Sequence, residues 1–147
     1  MEYVIFELNN ENYAVALGKI KEILVYSQVI ITELFSEEIW VKGLVNLRGE
    51  VIPIFDLRLL FGIENAKFSE NTVIIVVKTS EDKLIGLIVD NIKSILELNQ
   101  NNLSPVPEIG VSIDPRYIEG LIKLSNNQMT TVLNIDAVLK LEEMIEE

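Results

Sequence analysis

The chain has no cysteine and no histidine among its 147 residues. Together these absences exclude disulfide staples, Cys/His zinc sites, thiol nucleophiles, haem ligation, Ser-His-Asp triads and phosphohistidine chemistry. Long hydrophobic runs are also missing. Mean hydropathy is +0.31 and 49% of residues are hydrophobic. Yet the longest apolar stretches, 73–77 and 84–89, fall far short of the ~20 residues a membrane-spanning helix needs. Positive charge is scarce, with 12 Lys+Arg against 23 Asp+Glu and a formal charge of −11. So acidic a surface repels phosphate, which makes nucleic acid and anionic membrane poor partners. Met1-Glu2-Tyr3 lacks the basic flank of a secretory signal, so the chain is expected to be soluble and cytoplasmic, with no membrane insertion of its own. The length fits one domain, or two very small ones sharing a core.

What is present reads mostly as strand. Short β-branched and aromatic runs alternate with turn residues. Four hairpins are expected: 3–8 with 13–17 around an Asn-rich loop, 41–47 with 51–55 around Arg48-Gly49-Glu50, 73–78 with 84–89, and 118–124 with 128–133. Asp56 is placed to cap a short helix over 57–61 that Gly62 ends. Asp136 is predicted to cap a C-terminal helix from Ala137, with Ala137, Val138, Leu141, Met144 and Ile145 on one face. Residues 99–115, with three prolines and several asparagines, read as a long connection with little regular structure.

The chain repeats itself. Ile20-Lys21-Glu22-Ile23-Leu24 recurs as Ile92-Lys93-Ser94-Ile95-Leu96, an offset of 72. The segment Trp40-Val41-Lys42-Gly43-Leu44-Val45-Asn46-Leu47 recurs as Tyr117-Ile118-Glu119-Gly120-Leu121-Ile122-Lys123-Leu124, an offset of 77. Asp56 and Leu59 match Asp136 and Leu139 at an offset of 80. Three matches in one order predict a duplication, with related units at about 3–64 and 72–146 inside one domain spanning 1–147, open to strand or helix exchange between them. Each unit has about five strands, enough for a small barrel that hides its edges. Barrels this small are marginal alone, so the two are expected to share a hydrophobic seam. The hairpin features Arg48, Gly49 and Pro53 occur in the first copy only, which marks that turn for a specific contact.

No catalytic residue, metal ligand set or cofactor motif is apparent. The aspartates are scattered at cap and turn positions, and no phosphate-binding glycine loop is present. Arg48 presents a planar donor fork suited to a partner's carboxylate or carbonyl. Gly43, Gly49 and Gly120 read as backbone devices. If the two Ile-rich segments face each other across the barrel junction, they leave an apolar groove for an amphipathic helix. Trp40 reads as packing, or as an anchor if half exposed. The competing reading is a small-molecule or oligosaccharide-binding barrel with carboxylate-dependent hydrolysis, which requires a concave pocket of converging polar groups.

The run Val41-Lys42-Gly43-Leu44-Val45-Asn46-Leu47-Arg48-Gly49-Glu50-Val51-Ile52-Pro53-Ile54-Phe55-Asp56-Leu57 resembles the signature of CheW-like chemotaxis adaptors, and the similarity extends over the whole chain. The resemblance implies a mostly β fold of two intertwined five-stranded SH3/OB-like barrels with a short helix and a C-terminal helix. It implies a non-catalytic scaffold of stand-alone length that couples the cytoplasmic tips of methyl-accepting chemoreceptors to the regulatory domain of the histidine kinase CheA. Such a scaffold sits in the cytoplasm at membrane-associated receptor arrays. By position, Val4, Leu17, Ile20, Ile23 and Ile92 match the receptor groove. Asn46, Arg48 and Gly49 match the turn that contacts receptor or kinase, and Gly43, Pro53 and Gly120 match structural positions.

Overall fold

The central strands are apolar on both faces because each face packs on a different cluster. The computed structural model describes residues 1–64, 66–105 and 113–140. In chain order the strands are β1 (Glu2–Leu8), β2 (Glu11–Ala16), β3 (Ile20–Val25), β4 (Thr32–Glu33), β5 (Val41–Leu47), β6 (Glu50–Asp56), β7 (Val73–Lys78), β8 (Leu84–Val89), β9 (Asn91–Glu97), β10 (Ile118–Lys123) and β11 (Met129–Leu133). Helix α1 (Leu57–Leu60) follows β6, and helix α2 (Ile135–Leu139) follows β11. The four expected hairpins form as β1–β2, β5–β6, β7–β8 and β10–β11.

The strands make two sheets, ordered β10-β11-β2-β1-β9 and β3-β7-β8-β6-β5-β4. Each sheet takes a hairpin from one sequence half and its other strands from the other half. Neither is therefore built from 3–64 or 72–146 alone. The chain crosses from the first sheet to the second between β2 and β3, and returns between β8 and β9.

Register repeats along with order. The pair Val4↔Val15 has its counterpart in Ile75↔Leu87. The parallel pair Ala14↔Val132 has its counterpart in Gly86↔Ile54. The shifts in register also recur: Lys21 in β3 and Lys93 in β9 fall outside the pairing, as do Lys42 in β5 and Glu119 in β10. A bulge bends a strand at these points and increases its twist. The glycines that follow Lys42 and Glu119 both sit where another backbone approaches closely, Gly43 more severely and at a φ of 151°. A Cβ at Gly43 would lie 2.1 Å from the Thr32 carbonyl oxygen, and one at Gly120 would lie 3.1 Å from that of Ser104. Thr32 and Ser104 occupy matching places, pairing with Leu44 and Leu121 respectively. Pro53, opposite Leu44, lies just before the ladder between β6 and β8 begins.

This register corrects one sequence match. The counterpart of Asp56 is Asn134, at an offset of 78, not Asp136. Asp56 accepts from the Arg58 N–H, and Asn134 from the Ala137 N–H. The Asp56 N–H donates to the Trp40 carbonyl at 2.7 Å, and the Asn134 N–H to that of Tyr117 at 2.8 Å. Helix α2 accordingly starts at Ile135, ahead of the predicted Ala137, because an amide caps as well as a carboxylate. The predicted face residues Leu141, Met144 and Ile145 lie outside the described residues. The expected connection after β9 carries a 3₁₀ turn at Gln100–Asn102 and the Ser104–Leu121 bridge.

Three apolar clusters result. One lies within the second sheet (Val45, Ile52, Ile54, Ile74, Val76, Ile88) and one within the first (Tyr3, Ile5, Ala14, Ile122, Val132). The largest draws on both sheets, joining Val4, Phe6, Val15 and Leu133 to Phe55, Ile75, Val77 and Leu87. It is the shared seam. Alternate residues of β1 and of β7 divide between the seam and their own sheet's cluster, as a period of two requires. Trp40 is buried in the seam, edge-on to Phe55 at 5.1 Å, so its role is packing.

Candidate functional site

Apolar residues from both sheets come to the surface along the seam. Strand β3 is the edge of the second sheet, and β9 is the edge of the first. Ile23 pairs with Ile75 and Ile95 with Val4, so both side chains lie on the seam face of their sheets. They are 41% and 54% exposed. Leu17, Ile20 and Ile92 pack half-buried against the same cluster. Leu17, Ile20 and Ile92 thus pack on the seam cluster, and Ile23 and Ile95 face its side from the edge strands of their own sheets; these five side chains are the apolar margin of the seam. The repeat could have marked Ile95 as the partner of Ile23 at offset 72. Val4 differs. It is fully buried, so it supports the margin from beneath and presents no surface to a partner.

The turn between β5 and β6 has two residues at positive φ, Arg48 at 53° and Gly49 at 88°. This is the handedness that suits a tight hairpin. Asn46 fixes it, its side-chain oxygen accepting from the Gly49 N–H at 3.0 Å. Glycine adopts such a conformation freely, whereas a left-handed arginine costs about 1–2 kcal/mol locally. The Arg48 side chain forms an ion pair with Glu22 on β3. Strands β3 and β5 stand near opposite ends of the ladder order, so this pair helps curl the second sheet around its own core. Arg48 remains 70% exposed, which leaves guanidinium donors facing solvent.

Sequence reasoning missed the charge cluster at the start of α1. Arg58 is 1% exposed. Its Nε and one terminal nitrogen donate to the two oxygens of Asp56, both at 2.9 Å. The other terminal nitrogen donates to Asp90 Oδ1 at 2.9 Å and to the Lys67 carbonyl at 2.6 Å. The guanidinium also lies 4.7 Å from the Phe68 ring centre, and Phe68 stacks on Tyr26 at 4.4 Å. Burial alone would lower the Arg58 pKa. Hydrogen bonding and charge from Asp56, then from Asp90, outweigh it and raise the value, so the group stays charged.

Among the described residues no group of three or more acidic side chains is arranged to hold a metal. Concavities there include one of about 230 Å³ beside Asn9, Lys67 and Asp90, and one of about 530 Å³ beside Met1, Glu97 and Gln100. Neither is lined by a residue of the seam margin or of the signature turn.

Comparison with known proteins identifies the family and the fold. The model of the CheW-like domain matches residues 2–143. The chain is 36% identical over 143 residues to a chemotaxis protein CheW of Klebsiella aerogenes, covering 97% of this chain and 84% of that protein. It is 29% identical over 140 residues to the chemotaxis protein CheW of Helicobacter pylori, covering 95% and 82%. The crystal structure of the scaffolding protein TtCheW from Thermoanaerobacter tengcongensis superimposes with a TM-score of 0.82 at 29% identity, covering 91% of this chain and 84% of that one. None of these supports the carbohydrate-binding or hydrolytic reading. With a domain match over residues 2–143, a relative at 36% identity and a scaffolding protein of the same fold, the chain belongs to the CheW-like domain family of non-catalytic chemotaxis scaffolds.

Proposed function

We propose that this scaffold joins the cytoplasmic tips of methyl-accepting chemoreceptors to the regulatory domain of the histidine kinase CheA, within the cytoplasm at membrane-associated arrays. The observation that carries the reading is the exposure of Ile23 and Ile95 on the seam face of opposite sheets. Leu17, Ile20 and Ile92 continue this surface inward, and an amphipathic helix presents an apolar stripe of matching kind. Asn46, Arg48 and Gly49 supply a rigid polar turn beside it for a carboxylate or carbonyl of receptor or kinase. Gly43, Pro53 and Gly120 keep the backbone that presents these groups. The sequence units 3–64 and 72–146 are the duplicated halves, exchanged between the sheets. Individual contacts can be weak, because an array raises effective concentration.

The test is a pull-down of receptor-tip and kinase regulatory fragments with Arg48→Glu. Reversing a charge-assisted contact is expected to weaken binding of one partner by about 1–3 kcal/mol. Unchanged capture of both fragments would refute the assignment of the turn.

A further inference from the structure

The chain passes between its sheets at two matched crossings, and the two are held very differently. From the second sheet to the first it crosses at the single residue Asp90, between β8 and β9. There Asp90 Oδ1 accepts from Arg58 at 2.9 Å, Oδ2 accepts from the Asn9 N–H at 2.8 Å, and the Asp90 N–H donates to the Glu7 carbonyl at 3.1 Å. Arg58 belongs to the second sheet's helix, whereas Asn9 and Glu7 belong to the first sheet's β1–β2 hairpin. From the first sheet to the second the chain crosses through the 3₁₀ turn Leu17–Lys19. At offset 78 the counterpart of Arg58 is Asp136 in α2, and it also reaches its crossing, through Lys19 at 3.3 Å. The sign of the pair is reversed and its setting is opposite: Lys19 and Asp136 are 40% and 54% exposed, against 1% and 31% for Arg58 and Asp90.

We infer that Arg58 is a positioning residue. Through Asp90 it fixes the angle between the two sheets, and with it the spacing of the β3 and β9 margin, while the Lys19–Asp136 crossing is the compliant one. A buried, multiply bonded pair holds one geometry, whereas an exposed single ion pair exchanges with water and contributes little. Arg58 also holds the segment between the halves, through Lys67 and Phe68, against Tyr26 at the end of β3. The link to partner binding rests on the groove reading, but the sheet-setting role does not.

The absence of cysteine makes the test direct. Lys78→Cys on β7 with Lys123→Cys on β10 places one spin label on each sheet, and pulsed electron paramagnetic resonance reads the distribution of distances between them. Asp90→Asn and Arg58→Lys are expected to broaden or shift that distribution while circular dichroism shows a folded protein. Lys19→Ala is expected to leave it unchanged. The inference is overturned if both folded variants keep the parental distribution, if Lys19→Ala disturbs it as much, or if both variants lose the fold outright, which would show a folding role alone. Receptor binding does not enter this readout, so the groove reading can fail with the sheet-setting role intact.

Discussion

Replacing Arg58 by Met should cost a large share of this protein's stability. The methionine retains an unbranched stem near Phe68 but removes four charge-assisted hydrogen bonds, two to Asp56, one to Asp90 and one to the Lys67 carbonyl. Asp90 is one-third exposed and keeps the Asn9 N–H, so water can compensate it. Asp56 cannot be treated so gently. Its carboxylate is 2% exposed and would keep only the backbone N–H of residue 58. A buried charge that loses its partner typically costs about 3–5 kcal/mol. Single domains are stable by only ~5–15 kcal/mol. Trp40, the one tryptophan, is buried against Phe55 and reports unfolding by fluorescence in a urea titration. Arg58→Met is expected to lower the unfolding free energy by about 3–5 kcal/mol. Adding Asp56→Asn should restore part of it, since asparagine caps the matching helix at Asn134 and no charge then stays buried. A loss below ~1 kcal/mol for the single variant would refute the reasoning, because that is the scale of an exposed pair.

Two further perturbations follow from buried groups. Among the described residues the fully buried Thr130 hydroxyl has no hydrogen-bond partner, and its counterpart in the other sheet is Ile52. Thr130→Val is expected to raise stability by about 1 kcal/mol, read as a higher urea midpoint, since an unsatisfied hydroxyl is a net cost; a lower midpoint would show a partner the fold does not reveal. The Tyr13 phenol is pushed up to about 12 by burial first, then by the charge of Glu11 and a hydrogen bond to it. A raised folded-state value means its contribution to stability is whole below the unfolded value near ~10 and is lost as pH rises through about 12. Urea midpoints for the parent and Tyr13→Phe are therefore expected to differ in pH dependence between those values, with the variant falling less; parallel curves would contradict the assignment.

The hairpins were legible because each pairs neighbours in sequence, and turn chemistry at Asn9-Asn10, Arg48-Gly49 and Asn126-Asn127 marks them locally. The resemblance implied that the halves intertwine, but which strands exchange was not legible, because β3–β7 and β1–β9 are pairings between distant segments that no local rule specifies. The Ile-rich repeat at 20–24 and 92–96 was visible, but its division into a half-buried Ile20 and an exposed Ile23 depends on which sheet edge each strand occupies. Val4 illustrates the same limit. It stands opposite Ile95 in register, yet the seam closes over it. The cap at Asn134 was displaced to Asp136 because the carboxylate two residues on fits a capping pattern equally well in sequence, and only the register settles which residue starts the helix. Arg58 left no sequence signal, since Asp56 two residues before it reads as a helix cap and Asp90 lies 32 residues away.

The central claim is that the seam margin is a docking surface for an apolar helical face. Titration of a chemoreceptor cytoplasmic-tip fragment into Ile23→Asp and Ile95→Asp tests it most directly, with the kinase regulatory domain titrated in parallel. Both side chains are substantially exposed, so the variants are expected to stay folded. Receptor binding should weaken at least about tenfold in each, the effect of losing roughly 1.4 kcal/mol of apolar contact, while kinase binding persists. Folded variants that bind the receptor fragment as the parent does would contradict the claim.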